Sequence, residues 1–154
     1  MKNKPIILVA GEPNSIFFEI LFKAYKSKKF NTPLILIASY KLLKFQMKSL
    51  KINKNIRILN KKNLKKYKLS NKSINLINED YNDSLTFGKI SAKSNTYIES
   101  CFNSAISLIK SGYSDKLING PSSKKYFLKK KFLGITEYLA HKFKKKKIAM
   151  LIYN

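Results

Sequence analysis

Two apolar runs without polar alternation, Ile6 to Ala10 and Pro33 to Ala38, constrain this chain more than any other feature. A strand with one face in water alternates apolar and polar side chains. An unbroken run therefore predicts a strand buried on both faces, as in a parallel sheet covered by helices. Between the runs, Gly11 to Ser15 reads as a turn and Ile16 to about Lys26 as a helix, capped by Ser15 or Asn14. Ile16, Phe17, Ile20, Leu21 and Ala24 recur at helical spacing and predict its inward face. Strand, loop, helix and strand make a βαβ unit with a right-handed crossover. The expected class is α/β, a mostly parallel sheet flanked by helices, in a single unit over residues 1–154.

Further along, a helix is expected from Ser39 to about Leu50 and a third strand over Ile56 to Leu59. Residues 60–90 turn into Lys, Asn and Ser with short apolar insertions such as Ile74 to Ile77, an irregular excursion that holds small strands or forms a mobile surface loop. Glu79, Asp80 and Asp83 make the one acidic cluster, read as an exposed turn and not as a metal site. The clearest helix runs from Ser94 to about Ser111, with Tyr97, Ile98, Cys101, Phe102, Ala105, Ile106 and Ile109 on one face and Gly112 placed to end it. Cys101, the lone cysteine, is expected buried and inert, which is compatible with a reducing compartment. A helix from about Thr136 to Lys147 carries His141 one turn beyond Glu137, read as an exposed helix position, and ends in four lysines that suit a helix C-terminus. Ile148 to Ile152 reads as another buried strand.

The stretch most suited to chemistry is Lys116 to Leu139, KLINGPSSKKYFLKKKFLGITEYL. A short central strand, 117–119, closes in Gly120-Pro121, and in open α/β sheets ligands sit beyond the carboxyl ends of strands. Ser122, Ser123 and Lys124 would stand there with hydroxyls, amides and a cation suited to an oxyanion or phosphate. Downstream, Gly134 allows close backbone approach, and Thr136 either caps the next helix or holds a substrate. On spacing alone both pieces read as ordinary loop and cap chemistry.

These residues resemble the signature of the 4-hydroxythreonine-4-phosphate dehydrogenase family, a Gly-Pro-x-x-Lys loop after a strand followed by Gly-His-Thr-Glu and an aromatic. Gly120, Pro121 and Lys124 match the first piece, and Gly134, Thr136, Glu137 and Tyr138 the second, while Ile135 stands where the family has a substrate-contacting histidine. Near the N-terminus, Gly11, Glu12, Pro13, Ile16 and Glu19 match the family's Gly-(Asp/Glu)-Pro-Ala-Gly-Ile-Gly-Pro-Glu. Ser15 and Phe17 replace glycines there, and Phe18 replaces a proline. The resemblance covers an N-terminal half, similar to the N-terminal part of the isocitrate/isopropylmalate dehydrogenase-like two-domain fold. A buried-type strand that stops two residues before Asn154 is likewise expected of an incomplete portion of a longer chain.

The resemblance implies NAD- or NADP-dependent oxidation and decarboxylation of 4-phosphooxy-L-threonine to 3-amino-2-oxopropyl phosphate, in pyridoxal phosphate biosynthesis. It implies a cytoplasmic homodimer, and a divalent metal (Zn, Mg or Co) on histidines that lie beyond Asn154. The nicotinamide-binding elements belong mostly to the same absent half, and the Gly11 turn has no Gly-x-Gly-x-x-Gly of its own. Within this chain it implies Thr136 as a substrate contact, with Lys124, Gly120 and Gly134 shaping an anionic pocket, no catalytic residue, and little activity alone. A diverged, non-catalytic phosphate-ligand-binding domain is the alternative that Ile135 and the replaced glycines support.

Charge suggests a third class. The net charge of +24 comes from 32 basic against 8 acidic residues, which is a polyanion binder's balance. Yet Arg57 is the lone arginine, and the lysines travel with Asn and Ile along the whole chain. Nucleic-acid readers rely on arginine for bidentate contacts, so compositional bias explains the charge better than a nucleic-acid partner. No stretch approaches the roughly 18 apolar residues that span a bilayer, and a soluble cytoplasmic protein is expected.

Overall fold

The computed structural model describes residues 4–27, 29–84, 88–129 and 131–149. Its frame is a five-stranded, all-parallel sheet of β1 (Ile6–Val9), β2 (Leu34–Ala38), β3 (Ile56–Ile58), β4 (Ile74–Asn78) and β5 (Lys116–Asn119), in the order β3-β4-β2-β1-β5. Helices α1 (Phe17–Ser27), α2 (Tyr40–Ser49), α3 (Asn95–Lys110) and α4 (Ile135–Lys142) complete it. Successive connections carry the chain leftward from β1 to β2, and the later return places β5 on the other side of β1. The order therefore reverses at β1, which makes the β1/β5 boundary the switch point where such sheets hold ligands. The α/β class and the parallel sheet are as the apolar runs predict.

All five residues of β2 are buried, and Ile7 and Val9 of β1 have no exposed surface. α1 keeps part of its predicted face, with Phe17 and Leu21 buried, but Ile16 and Ile20 are 62% and 54% exposed and Phe18 and Phe22 are buried in their place. Three phenylalanines hold more apolar area than the isoleucines, so the helix turns toward them. Phe17 and Phe18 meet edge to face at 5.6 Å.

The 60–90 excursion contains β4, an interior strand that pairs with β2 on one side and β3 on the other. Its Asn75 has no exposed surface, and its side-chain amide donates to the carbonyls of Leu34 (2.9 Å) and Ser70 (3.1 Å). Asn71 accepts from Leu34 N and donates to Phe30 O and Thr32 O, sealing the entry to β2. Buried amides that meet backbone carbonyls let an Asn-rich segment enter the core. The exposed-turn reading fails for Glu79, which is buried, and holds for exposed Asp80; Asp83 is half-buried.

α3 ends as expected at Gly112, whose φ of +73° accompanies bonds from Gly112 N to Ile109 O (2.9 Å) and Tyr113 N to Leu108 O (3.1 Å). α4 stops at Lys142, short of the expected Lys147, because Lys144 turns to φ +54° and Lys145 N bonds back to Ala140 O at 2.9 Å. Four consecutive lysines without acidic partners at helical spacing favour leaving the helix there. The strand expected over Ile148 to Ile152 is not formed at Ile148 and Ala149, Ile148 being 50% exposed, and the rest of that run lies outside the described residues. β5, read as a central strand, is an edge strand among the described residues, with Ile118 53% exposed. Cys101 is buried, and burial pushes its thiol pKa well up, so it stays protonated and inert.

Candidate functional site

The loops leaving β1 and β5 meet at the switch point, and the contact is backbone against backbone. Gly120 N donates to Val9 O at 2.7 Å, and Glu12 N donates to Pro121 O at 2.8 Å. A Cβ on Gly120 would lie 2.1 Å from Ala10 O, and one on Gly11, which has φ +74°, would lie 2.3 Å from Pro121 O. Only glycine permits this approach on both sides.

Glu12 binds the junction together. Although only 2% of it is exposed, its carboxylate has two partners: Oε2 accepts from Ser94 Oγ at 2.8 Å and Oε1 from Ser123 N at 3.2 Å. Ser94 is the residue from which α3 starts, so a negative group sits at that helix's N-terminus. Ser123 in turn organises the following turn. Its Oγ accepts from Tyr126 N, and its carbonyl accepts from Phe127 N and Leu128 N. Asn95 at the start of α3 donates to Tyr126 O at 2.9 Å.

That turn delivers Phe127 into an aromatic cluster. Tyr138 of α4 lies 5.2 Å from Phe127, 5.4 Å from Phe102 of α3 and 5.6 Å from Phe132, each edge to face. Burial raises the Tyr138 phenol pKa, the charge of Lys142 opposing it. Lys142 also pairs with Glu99 at 3.0 Å, tying α4 to α3. The position of α4 is thus set by packing on the turn that Ser123 nucleates.

The four expected site residues fall as follows. Gly120 is buried in the loop junction, and Lys124 is exposed on the turn beyond Ser123. Gly134 is the N-cap of α4 with extended φ of −162°, so no left-handed turn requires it, and an added Cβ would meet only the end of the flexible Glu137 side chain, at 3.1 Å from Oε2. Thr136 stands half-buried inside the first turn of α4, which leaves the capping role to Gly134. Ser123 N, expected to face an anion, is already given to Glu12. Ser122 Oγ is buried without a protein partner, and Lys124 keeps its cation at the surface. Ile135, at the position of the family histidine, packs against the hydrophobic core. Sequence reasoning named Glu12 as a motif match, Ser94 as a helix start and Ser123 as an anion donor, but missed the contact that joins them.

Two cavities border the carboxyl ends of the strands. One of 240 Å³ is lined by Glu12, Pro13, Tyr81, Lys89, Lys93 and Ser94, and none of the four expected residues lines it. The other, 570 Å³, surrounds Glu79. Glu79 accepts from Lys61 Nζ at 2.6 Å, from Ser104 Oγ at 2.5 Å and from Ser100 Oγ. Burial pushes its pKa up, but these hydrogen bonds and the Lys61 charge outweigh that and hold it below the usual carboxylate range. Among the described residues no three His, Cys, Asp or Glu side chains converge as metal ligands, and exposed His141 lies against Phe132. The described residues do not form a metal centre.

A parallel sheet that reverses at a glycine-lined junction of two strand-end loops defines an open α/β protein flanked by helices. The chain belongs to the family of the pyridoxal phosphate biosynthetic protein PdxA, whose family model matches residues 29–154. Among curated proteins, none matches. Solved structures agree on the fold. A 4-hydroxythreonine-4-phosphate dehydrogenase from Burkholderia phymatum superposes with a TM-score of 0.78 at 21% identity, over 93% of this chain and 44% of that one. The Klebsiella pneumoniae dehydrogenase gives 0.75 at 23% identity, over 89% and 44%. A putative 4-hydroxythreonine-4-phosphate dehydrogenase from Salmonella typhimurium gives 0.81 at 25% identity, over 97% and 48%. The chain spans under half the length of the solved structures it matches. The Gly11–Glu19 motif lies before the matched residues, and the loop junction is what connects it to the matched Gly120 loop. No helix of the described residues is long and apolar enough to cross a membrane.

Proposed function

We propose that this chain is the substrate-holding N-terminal portion of an NAD(P)-dependent 4-hydroxythreonine-4-phosphate dehydrogenase. The complete enzyme converts 4-phosphooxy-L-threonine and oxidised NAD(P) into 3-amino-2-oxopropyl phosphate, carbon dioxide and reduced NAD(P). The supporting observation is the junction of the Gly11–Asn14 and Gly120–Ser123 loops at the switch point, in a chain of the PdxA family. In this reading Thr136 donates its hydroxyl to a substrate oxygen, Lys124 offsets the phosphate charge, and Gly120 and Gly134 give the backbone room to approach. The acceptor and the divalent metal supply hydride uptake and Lewis-acid chemistry when bound. The working unit is a cytoplasmic homodimer with the remaining half of the fold present.

Calorimetric titration of the chain with 4-phosphooxy-L-threonine tests the reading. Binding that weakens about tenfold in both Thr136→Ala and Lys124→Ala supports it, the size expected for one lost charge-assisted or hydroxyl contact. Absence of binding by the wild-type chain rejects it. A second reading, a non-catalytic phosphate-ligand-binding domain, is favoured by Ile135, which packs half-buried against the core and offers no polar group at that position. Turnover followed as NAD(P)H absorbance, with the C-terminal half of a solved relative supplied in trans, separates the two. Binding without any turnover selects the second.

A further inference from the structure

Glu12 is a buried carboxylate with no cation within bonding distance among the described residues, and both its partners are neutral donors on other segments. We infer that Glu12 is a positioning residue that sets the turn carrying Lys124 and, through it, the seat of α4. This rests on the reading above that Lys124 and Thr136 face the substrate.

The chain of contacts is continuous. Glu12 Oε1 takes the Ser123 amide, and Ser123 then holds Tyr126 N through its Oγ and Phe127 N and Leu128 N through its carbonyl. Lys124 lies inside that turn, so its Cα is fixed by the same bonds. Phe127 and buried Leu128 carry the constraint inward, and Phe127 meets Tyr138 at 5.2 Å, in the same short helix as half-buried Thr136 two residues before it. The other carboxylate oxygen anchors on Ser94, which also contacts Ser91 O, so the turn is referred to the start of α3 and not to a mobile side chain. A second consequence concerns anions. The Ser123 amide and the N-terminal end of α3 are already given to this carboxylate, so neither is free for a substrate phosphate, while exposed Lys124 and Ser122 Oγ, which has no hydrogen-bond partner among the described residues, remain donors of the loop.

The test combines residue-resolved amide exchange with binding of 4-phosphooxy-L-threonine to the full chain. Glu12→Ala is expected to speed exchange at Ser123, Phe127 and Leu128 about tenfold, leave Cys101 and Phe102 in α3 unchanged, and weaken binding about tenfold. Glu12→Gln keeps an acceptor for Ser123 N and a donor for Ser94 Oγ, and is expected to restore both. Should Glu12→Ala not fold, Ser94→Ala frees one carboxylate oxygen and is expected to speed Ser123 exchange about threefold. Unchanged exchange at Phe127 and Leu128 in the folded variant overturns the inference, as does binding in Glu12→Gln as weak as in Glu12→Ala. A wild-type chain that does not bind sinks the functional reading, and the exchange data still decide this one.

Discussion

Two buried glutamates stand one after the end of β4 and one beyond the end of β1, and their surroundings differ. Glu79 meets a lysine and two serine hydroxyls, so its charge is neutralised where it lies. Glu12 meets one hydroxyl and one backbone amide, and those donors come from segments far apart in sequence. The first arrangement is a closed clamp that joins the turn at Lys61–Lys66 to β4 and α3. The second spends its hydrogen bonds on the placement of another loop. A paired charge serves the stability of its own surroundings, whereas a carboxylate held by neutral donors is informative about the segments it draws together.

The largest effect is expected where the Glu12 region is most crowded. Gly120→Ala would place a Cβ 2.1 Å from Ala10 O and 2.7 Å from Phe17 Cδ2, and Gly11→Ala one at 2.3 Å from Pro121 O. Backbone cannot yield as a flexible side chain does, so each is expected to cost about 3 kcal/mol. For a chain of this size that lowers Tm by about 6–12 °C in a thermal scan. If either variant melts like the wild type, the two loops are not in the contact described.

Breaking the other side is expected to cost less. Glu79→Ala leaves Lys61 and two hydroxyls without their acceptor, but Lys61 is half exposed and water replaces part of what is lost, so about 2 kcal/mol is expected. The pH dependence sharpens this. The folded pKa of Glu79 is lowered, so its contribution is fully present above the unfolded value near about 4.3 and disappears as pH falls through the folded one. The difference in Tm between wild type and Glu79→Gln should therefore be constant from neutral pH to about 5 and shrink below about 4. A difference that grows with acid would mean that the clamp does not favour the ionised form.

The parallel sheet was legible because IILVA and PLILIA leave no polar alternation, and α3 because its stripe is long and ends in glycine. β4 was obscured because Asn75 and Asn78 look like solvent-facing text; whether an asparagine is buried depends on which carbonyls surround it, and Leu34 O and Ser70 O come from elsewhere in the chain. The face of α1 was judged only in part: Phe17 and Leu21 are buried as the period predicts, but Phe18 and Phe22 take the inward places given to Ile16 and Ile20. Of the candidate site, Gly120 was legible from its strand-ending Gly-Pro pair. The partners of Glu12 were not, because Ser94 and Ser123 lie 82 and 111 residues away and no local spacing links them to it.

Gly112 isolates one term of the comparison. It has φ +73°, nearly the +74° of Gly11, but an added Cβ at Gly112 would meet nothing within 4 Å, against 2.3 Å to Pro121 O at Gly11. Gly112→Ala therefore carries only the left-handed backbone cost, about 1 kcal/mol, and is expected to lower Tm by about 2–4 °C. The excess of Gly11→Ala over Gly112→Ala then measures crowding at the loop junction alone, about 2 kcal/mol. Equal losses in the two variants would assign the whole effect at Gly11 to its backbone angle. The junction would then tolerate a side chain, and close approach of the two loops would no longer be the reason for glycine there.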